Sequence, residues 1–118
     1  MSSILTPENL VNKRFKPTKF RSGYSMDEVD DFLDEVVVEL RRLASESENL
    51  QLRIPGSETR LNTAVPTITP EDVINKTFPA TKFREGYDQD EVDDFLDEIV
   101  ETLREIATAN DKLRAQVA

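Results

Sequence analysis

The sequence predicts an all-α protein built from two tandem short-helix/loop/long-helix modules whose long helices form parallel coiled coils. Three observations predict it: an internal repeat, a heptad pattern in each copy, and a composition that suits exposed helices better than a thick core. The 118 residues are 37% hydrophobic and 33% charged, with only three Gly and no Trp. The copies align over 5–52 and 68–115, an offset of 63 residues. Thr6-Pro7-Glu8 returns as Thr69-Pro70-Glu71, Thr18-Lys19-Phe20-Arg21 as Thr81-Lys82-Phe83-Arg84, and Gly23-Tyr24 as Gly86-Tyr87. The run DEVDDFLDE from Asp27 to Glu35 recurs unchanged from Asp90 to Glu98. The first module covers 1–52 and the second 68–118. Between them, 53–67 reads as a linker, because Pro55-Gly56 and Pro66 break any helical period.

Each module opens on a short helix. Thr6 or Thr69 is a good N-cap, Pro7 or Pro70 occupies the first helical position, and acids follow. Pro17 and Pro79 keep that helix short. A basic loop comes next and ends at Gly23-Tyr24 or Gly86-Tyr87, where Gly permits a sharp turn. Ser25-x-x-Glu28 and Asp88-x-x-Glu91 then read as capping boxes of the long helices.

The long helices carry the seam. In the first copy it runs through Met26, Val29, Leu33, Val36, Leu40, Leu43, Ser47 and Leu50, in steps of three and four. In the second it runs through Gln89, Val92, Leu96, Ile99, Leu103, Ile106, Asn110, Leu113 and Val117. Phe32 and Phe95 lie beside the seam, where they pack the short helix and loop onto the coil. A helix of this kind needs a partner to bury its seam. For pairing inside one chain, the linker must span a helix of roughly 40 Å with a reach of roughly 50 Å. That near-tautness weakens the advantage of linkage. Asn110, at an a position, is best satisfied by its own equivalent. Both arguments favour pairing between chains, as a homodimer or higher.

Chemistry is constrained by what is absent. Without Cys or His there are no disulfides, no thiolate and none of the usual zinc ligands. The acidic run lacks the Gly and the ligand spacing of a calcium loop, and acids suit a helix N-terminus, so no metal and no cofactor are expected. No carboxylate pair is tuned for acid–base work, and no enzyme activity is expected. A net charge of −9 argues against nucleic acid as a partner. No apolar run approaches a membrane span and no signal-like leader opens the chain, so a cytoplasmic location is expected.

The loops are the exception to this acidity. Lys13 to Arg21 reads KRFKPTKFR, with five bases around Phe15 and Phe20, and Lys76 to Arg84 reads KTFPATKFR. Basic residues interleaved with Phe suit an anionic lipid surface. A loop whose Phe side chains pack on the coil instead would serve a soluble adaptor that binds a protein partner.

The ordered motifs LTPE (ITPE in the second copy), NKxF, KFRxGY and DEVDxFL resemble the N-terminal domain of DivIVA, a bacterial pole- and septum-marking protein, in its actinobacterial form. The resemblance implies a parallel dimeric coiled coil with crossed loops that present an aromatic and a basic residue to the membrane. By position these are Phe20 and Arg21, with Lys19 and Lys16 beside them, and Phe83 and Arg84, with Lys82. It also implies a peripheral scaffold on the inner face of the cell membrane at poles or septum, recruiting cell-division or cell-wall proteins. Members of the family usually carry one such domain before a long coil; here there are two, and neither coil is long.

Overall fold

A computed structural model describes residues 5–19, 22–51, 68–82 and 84–117. The elements run α1 (Pro7–Val11), β1 (Pro17–Thr18), β2 (Gly23–Tyr24), α2 (Met26–Gln51), α3 (Pro70–Ile74), β3 (Ala80–Thr81), β4 (Gly86–Tyr87) and α4 (Gln89–Val117). The repeat is therefore structural as well as sequential. The expected linker, 53–67, lies outside the described residues.

Local chemistry explains α1 and α3. The Thr6 side chain accepts from the Asn9 amide, and the Asn9 side chain accepts from the Thr6 amide. Thr69 and Asp72 repeat this reciprocal cap. Proline follows at the first helical position, where its missing N–H costs nothing. Each helix lasts five residues and ends at an Asn C-cap. A helix this short is held by packing rather than by propensity. Leu10 and Val73 supply that packing, buried in the core.

The two long helices lie side by side and point the same way. At their starts, the Tyr24 hydroxyl donates to Asp93 and the Tyr87 hydroxyl donates to Asp30. Near their ends, Asn110 donates to the Leu43 carbonyl and Arg114 pairs with Glu46. Val29, Val36, Val92 and Ile99 are wholly removed from solvent, and Leu33, Leu40, Leu43, Leu96 and Leu103 are buried beside them. Met26, Leu50, Ile106 and Leu113 are half-buried at the ends of the stripe. The seam residues of one copy are thus covered by those of the other copy in the same chain. This corrects the expected pairing between chains. The linker and Asn110 arguments weighed distance and one side chain; the structure joins the copies along the whole seam and through the loops.

The loops also depart from the all-α expectation. Four two-residue strands form one antiparallel sheet in the order β1-β4-β2-β3. Strand β1 of the first copy pairs with β4 of the second, Pro17 opposite Tyr87 and Thr18 opposite Gly86. Strand β2 of the first copy pairs with β3 of the second, Gly23 opposite Thr81 and Tyr24 opposite Ala80. Tyr24 and Tyr87 pair at the centre. Neither loop closes a hairpin on itself: each places its first strand on the other copy. The head is one interlocked unit rather than two separate ones.

Interlocking changes the helix caps. The long-helix N-caps are as read, with Glu28 N donating to Ser25 Oγ (3.5 Å) and Glu91 N to Asp88 Oδ1 (3.2 Å). Their own amides, however, cross to the other copy, Ser25 N to the Pro79 carbonyl and Asp88 N to the Lys16 carbonyl. The Glu91 carboxylate accepts from Lys16 N at 2.8 Å instead of closing a capping box.

Candidate functional site

An aromatic layer seats the loops on the helices. Phe15 of the first copy packs on Tyr87 and Phe95 of the second, with centroids at 5.1 and 5.7 Å. Phe78 of the second copy packs on Tyr24 and Phe32 of the first, at 5.3 and 5.8 Å. Tilted and edge-on contacts at these spacings are the favourable ones. Lys13 Nζ lies over Phe15 and Phe95, and Lys76 Nζ over Phe32 and Phe78, all within 5.6 Å of the ring centres. Phe32 and Phe95 therefore pack the loops as expected from their place beside the seam. Phe15, read from sequence among the loop's surface aromatics, is 8% exposed and belongs to the core. A single copy read alone hides this, because the rings that Phe15 packs on, Tyr87 and Phe95, belong to the other copy.

The registers fix where the loop tips emerge. Because β2 and β4 run antiparallel through Tyr24 and Tyr87, Thr18 and Gly86 lie in a row on one side of that pair, and Gly23 and Thr81 in a row on its other side. Pro17, Tyr87, Tyr24 and Ala80 form the central row between them. The first tip therefore starts from one edge of the sheet and the second from the opposite edge. Lys19 in the first tip and Lys82 and Arg84 in the second are exposed. Phe20, Arg21 and Phe83 lie outside the described residues. Lys16 is also exposed, but its backbone sits at the cap of α4 rather than at the tip. Glu85 in the second tip is exposed as well and offsets part of that tip's charge.

The starts of the long helices form an acidic collar. Asp27, Glu28, Asp30, Asp31, Asp90, Asp93 and Asp94 are all exposed on the first turns of α2 and α4. Among the described residues, no group of three or more His, Cys, Asp or Glu could hold a metal ion. The collar interacts with the head through the two tyrosines. Burial, then the hydrogen bond to Asp30 and that group's negative charge, push the Tyr87 hydroxyl from 10.0 up to about 12, with Arg14 opposing. Tyr24 is raised by burial and by Asp93.

This has a consequence at high pH. A phenol whose folded pKa is raised is stabilising in its neutral form, fully so below pH 10.0, and loses that contribution as pH rises toward about 12. The stability advantage of the wild type over Tyr87→Phe is expected to be flat below pH 10.0 and to shrink above it, as chemical denaturation followed by circular dichroism would show. An advantage that grew with pH would contradict the Tyr87–Asp30 bond.

Among the described residues, no helix is long and apolar enough to cross a membrane. A family model described as "DivIVA protein" matches the chain twice, over residues 5–65 and 68–118. The first match runs through most of the expected linker. Neither a search of curated proteins nor a search of solved structures found a match. With nearly its whole length covered by two consecutive matches, the chain belongs to the DivIVA family and carries the family's domain twice.

Proposed function

We propose that this chain is a cytoplasmic, peripheral-membrane scaffold that docks at cell poles or division sites and recruits cell-division or cell-wall proteins. The family is one of structural scaffolds in division and polarity, not of enzymes. Within that role, the chain acts as a single-chain form of a parallel two-stranded coiled coil. Its two modules, 1–52 and 68–118, each supply one helix of the coil and one docking loop. The observation that supports the proposal is that the crossed loops of one interlocked head expose the bases Lys19, Lys82 and Arg84. An anionic surface attracts these loop bases and repels the acidic first turns of α2 and α4, so the loops make the contact. Phe20 and Phe83 insert at the headgroups, and Arg21, Arg84, Lys19 and Lys82 pair with lipid phosphates, with Lys16 adding charge nearby. Each basic residue near such a surface contributes about 1 kcal/mol.

The two tips are unequal. Residues 5–24 carry five bases against Glu8, whereas 68–87 carry three bases against Glu71, Asp72 and Glu85. Phe20→Ala/Arg21→Ala is therefore expected to lower partitioning onto anionic liposomes more than Phe83→Ala/Arg84→Ala, by about tenfold. Co-sedimentation of the purified chain, with and without anionic lipid, measures both points. A chain that stays in the supernatant with anionic vesicles would favour the soluble adaptor instead. Equal losses from the two double variants would remove the asymmetry.

A further inference from the structure

Two copies of one repeat face a choice that a single copy does not: each seam can pair with its like or with its unlike. Most of the seam is indifferent, because Val29, Val36 and Leu40 have apolar equivalents in Val92, Ile99 and Leu103. The indifference ends near the helix ends. Glu46 of α2, 8% exposed, pairs with Arg114 of α4 and accepts from Asn110 Nδ2 at 3.3 Å. Arg42 Nη1 approaches the same carboxylate at 3.9 Å from its own helix. With the 63-residue offset, Ala109 is the equivalent of Glu46 and Gln51 that of Arg114. Glu46 and Arg114 occupy g and e positions of the heptads, where charge sets partner choice in coiled coils.

We propose that Glu46, with Arg114 and Asn110, is the pairing determinant that matches the first copy to the second and excludes like-with-like pairing between chains. In a like pair of first copies, Glu46 would face Gln51 and lose its cross-helix cation. In a like pair of second copies, Arg114 would face Ala109. Only the unlike pair joins the two charges. An opposing preference makes the determinant necessary. Asn110 Oδ1 is buried without a partner among the described residues, and a second Asn110 would satisfy it. Glu46 holds the Asn110 amide in the unlike pair and so works against that preference.

A cysteine reporter in the full chain tests this. The protein has no cysteine of its own. Val36→Cys lies opposite Ile99 in the unlike pair, so oxidation leaves the chain monomeric on non-reducing gels. In a like pair it meets its equivalent and is trapped as an interchain disulfide. Arg114→Glu, an exposed change that sets two carboxylates against each other in the unlike pair, is expected to raise that interchain product about tenfold. Glu46→Lys, which opposes Arg114, is expected to do the same. Combining Glu46→Lys with Arg114→Glu restores opposite charges and is expected to return the product to its starting level. If Arg114→Glu leaves the product unchanged while the chain stays helical, the determinant lies elsewhere. A rise that the reversed pair does not undo would also overturn the proposal, since it would mean that the charges act on stability and not on partner choice.

Discussion

Ile99→Ala is expected to destabilise the chain by about 3 kcal/mol, whereas Leu113→Ala should lose less than about 1 kcal/mol. Ile99 is entirely buried between the long helices, and Leu113 is half-buried near their ends. Truncating a buried aliphatic residue removes its transfer free energy and leaves a cavity that neighbours fill only in part. Such a loss is a large share of the roughly 5–15 kcal/mol that holds a small protein folded. Urea denaturation followed by circular dichroism reads both values. Equal losses at the two sites would mean that the helices are not joined most tightly through their first halves.

Gly86→Ala is expected to destabilise the head by about 2 kcal/mol, the range of an overpacked site. A methyl group at this position would lie 2.8 Å from the Tyr24 carbonyl oxygen and 3.2 Å from Thr81 Cγ2, with Thr81 Oγ1 closer still. The carbonyl is backbone in the central strand pair and cannot rotate away. Gly23 is under the same constraint, with Tyr87 O at 2.7 Å and Thr18 Cγ2 at 2.8 Å from a hypothetical Cβ. Close approach of the two crossed loops, rather than a sharp turn, is thus what these glycines serve. Amide exchange at Tyr24 and Tyr87 should speed up in Gly86→Ala, while amides in the middle of α2 and α4 stay protected. A variant as stable as the wild type would show that the strands do not pair across the copies.

These two substitutions mark what could and could not be read from the residues. The seam was legible because a heptad is a local pattern that recurs over many turns, and Val29, Val36, Val92 and Ile99 lie where that pattern puts them. The caps at Thr6 and Thr69 were legible for the same reason, although the reciprocal bonds from Asn9 and Asp72 were not read. The sheet was not legible. Strands of two residues carry no period, and each pairs with a segment 56 to 70 residues away rather than with its neighbour. The burial of Phe15 was hidden by the same exchange. Among the candidate docking residues, Lys19, Lys82 and Arg84 are exposed at the tips, Lys16 is exposed at a helix cap, and the aromatic pair itself lies outside the described residues. The choice of partner is legible in the residues as well. The expectation of pairing between chains rests on the linker's reach and on Asn110, whereas laying the two heptads in register sets Glu46 beside Arg114.

The central claim is that one chain forms both halves of the paired unit. Light scattering at low micromolar concentration, with circular dichroism on the same samples, tests it most directly. The account predicts a mass near 13.5 kDa and a helical signal that does not fall on dilution, because the pairing is intramolecular. Twice that mass, with helicity lost as the protein is diluted, would contradict it.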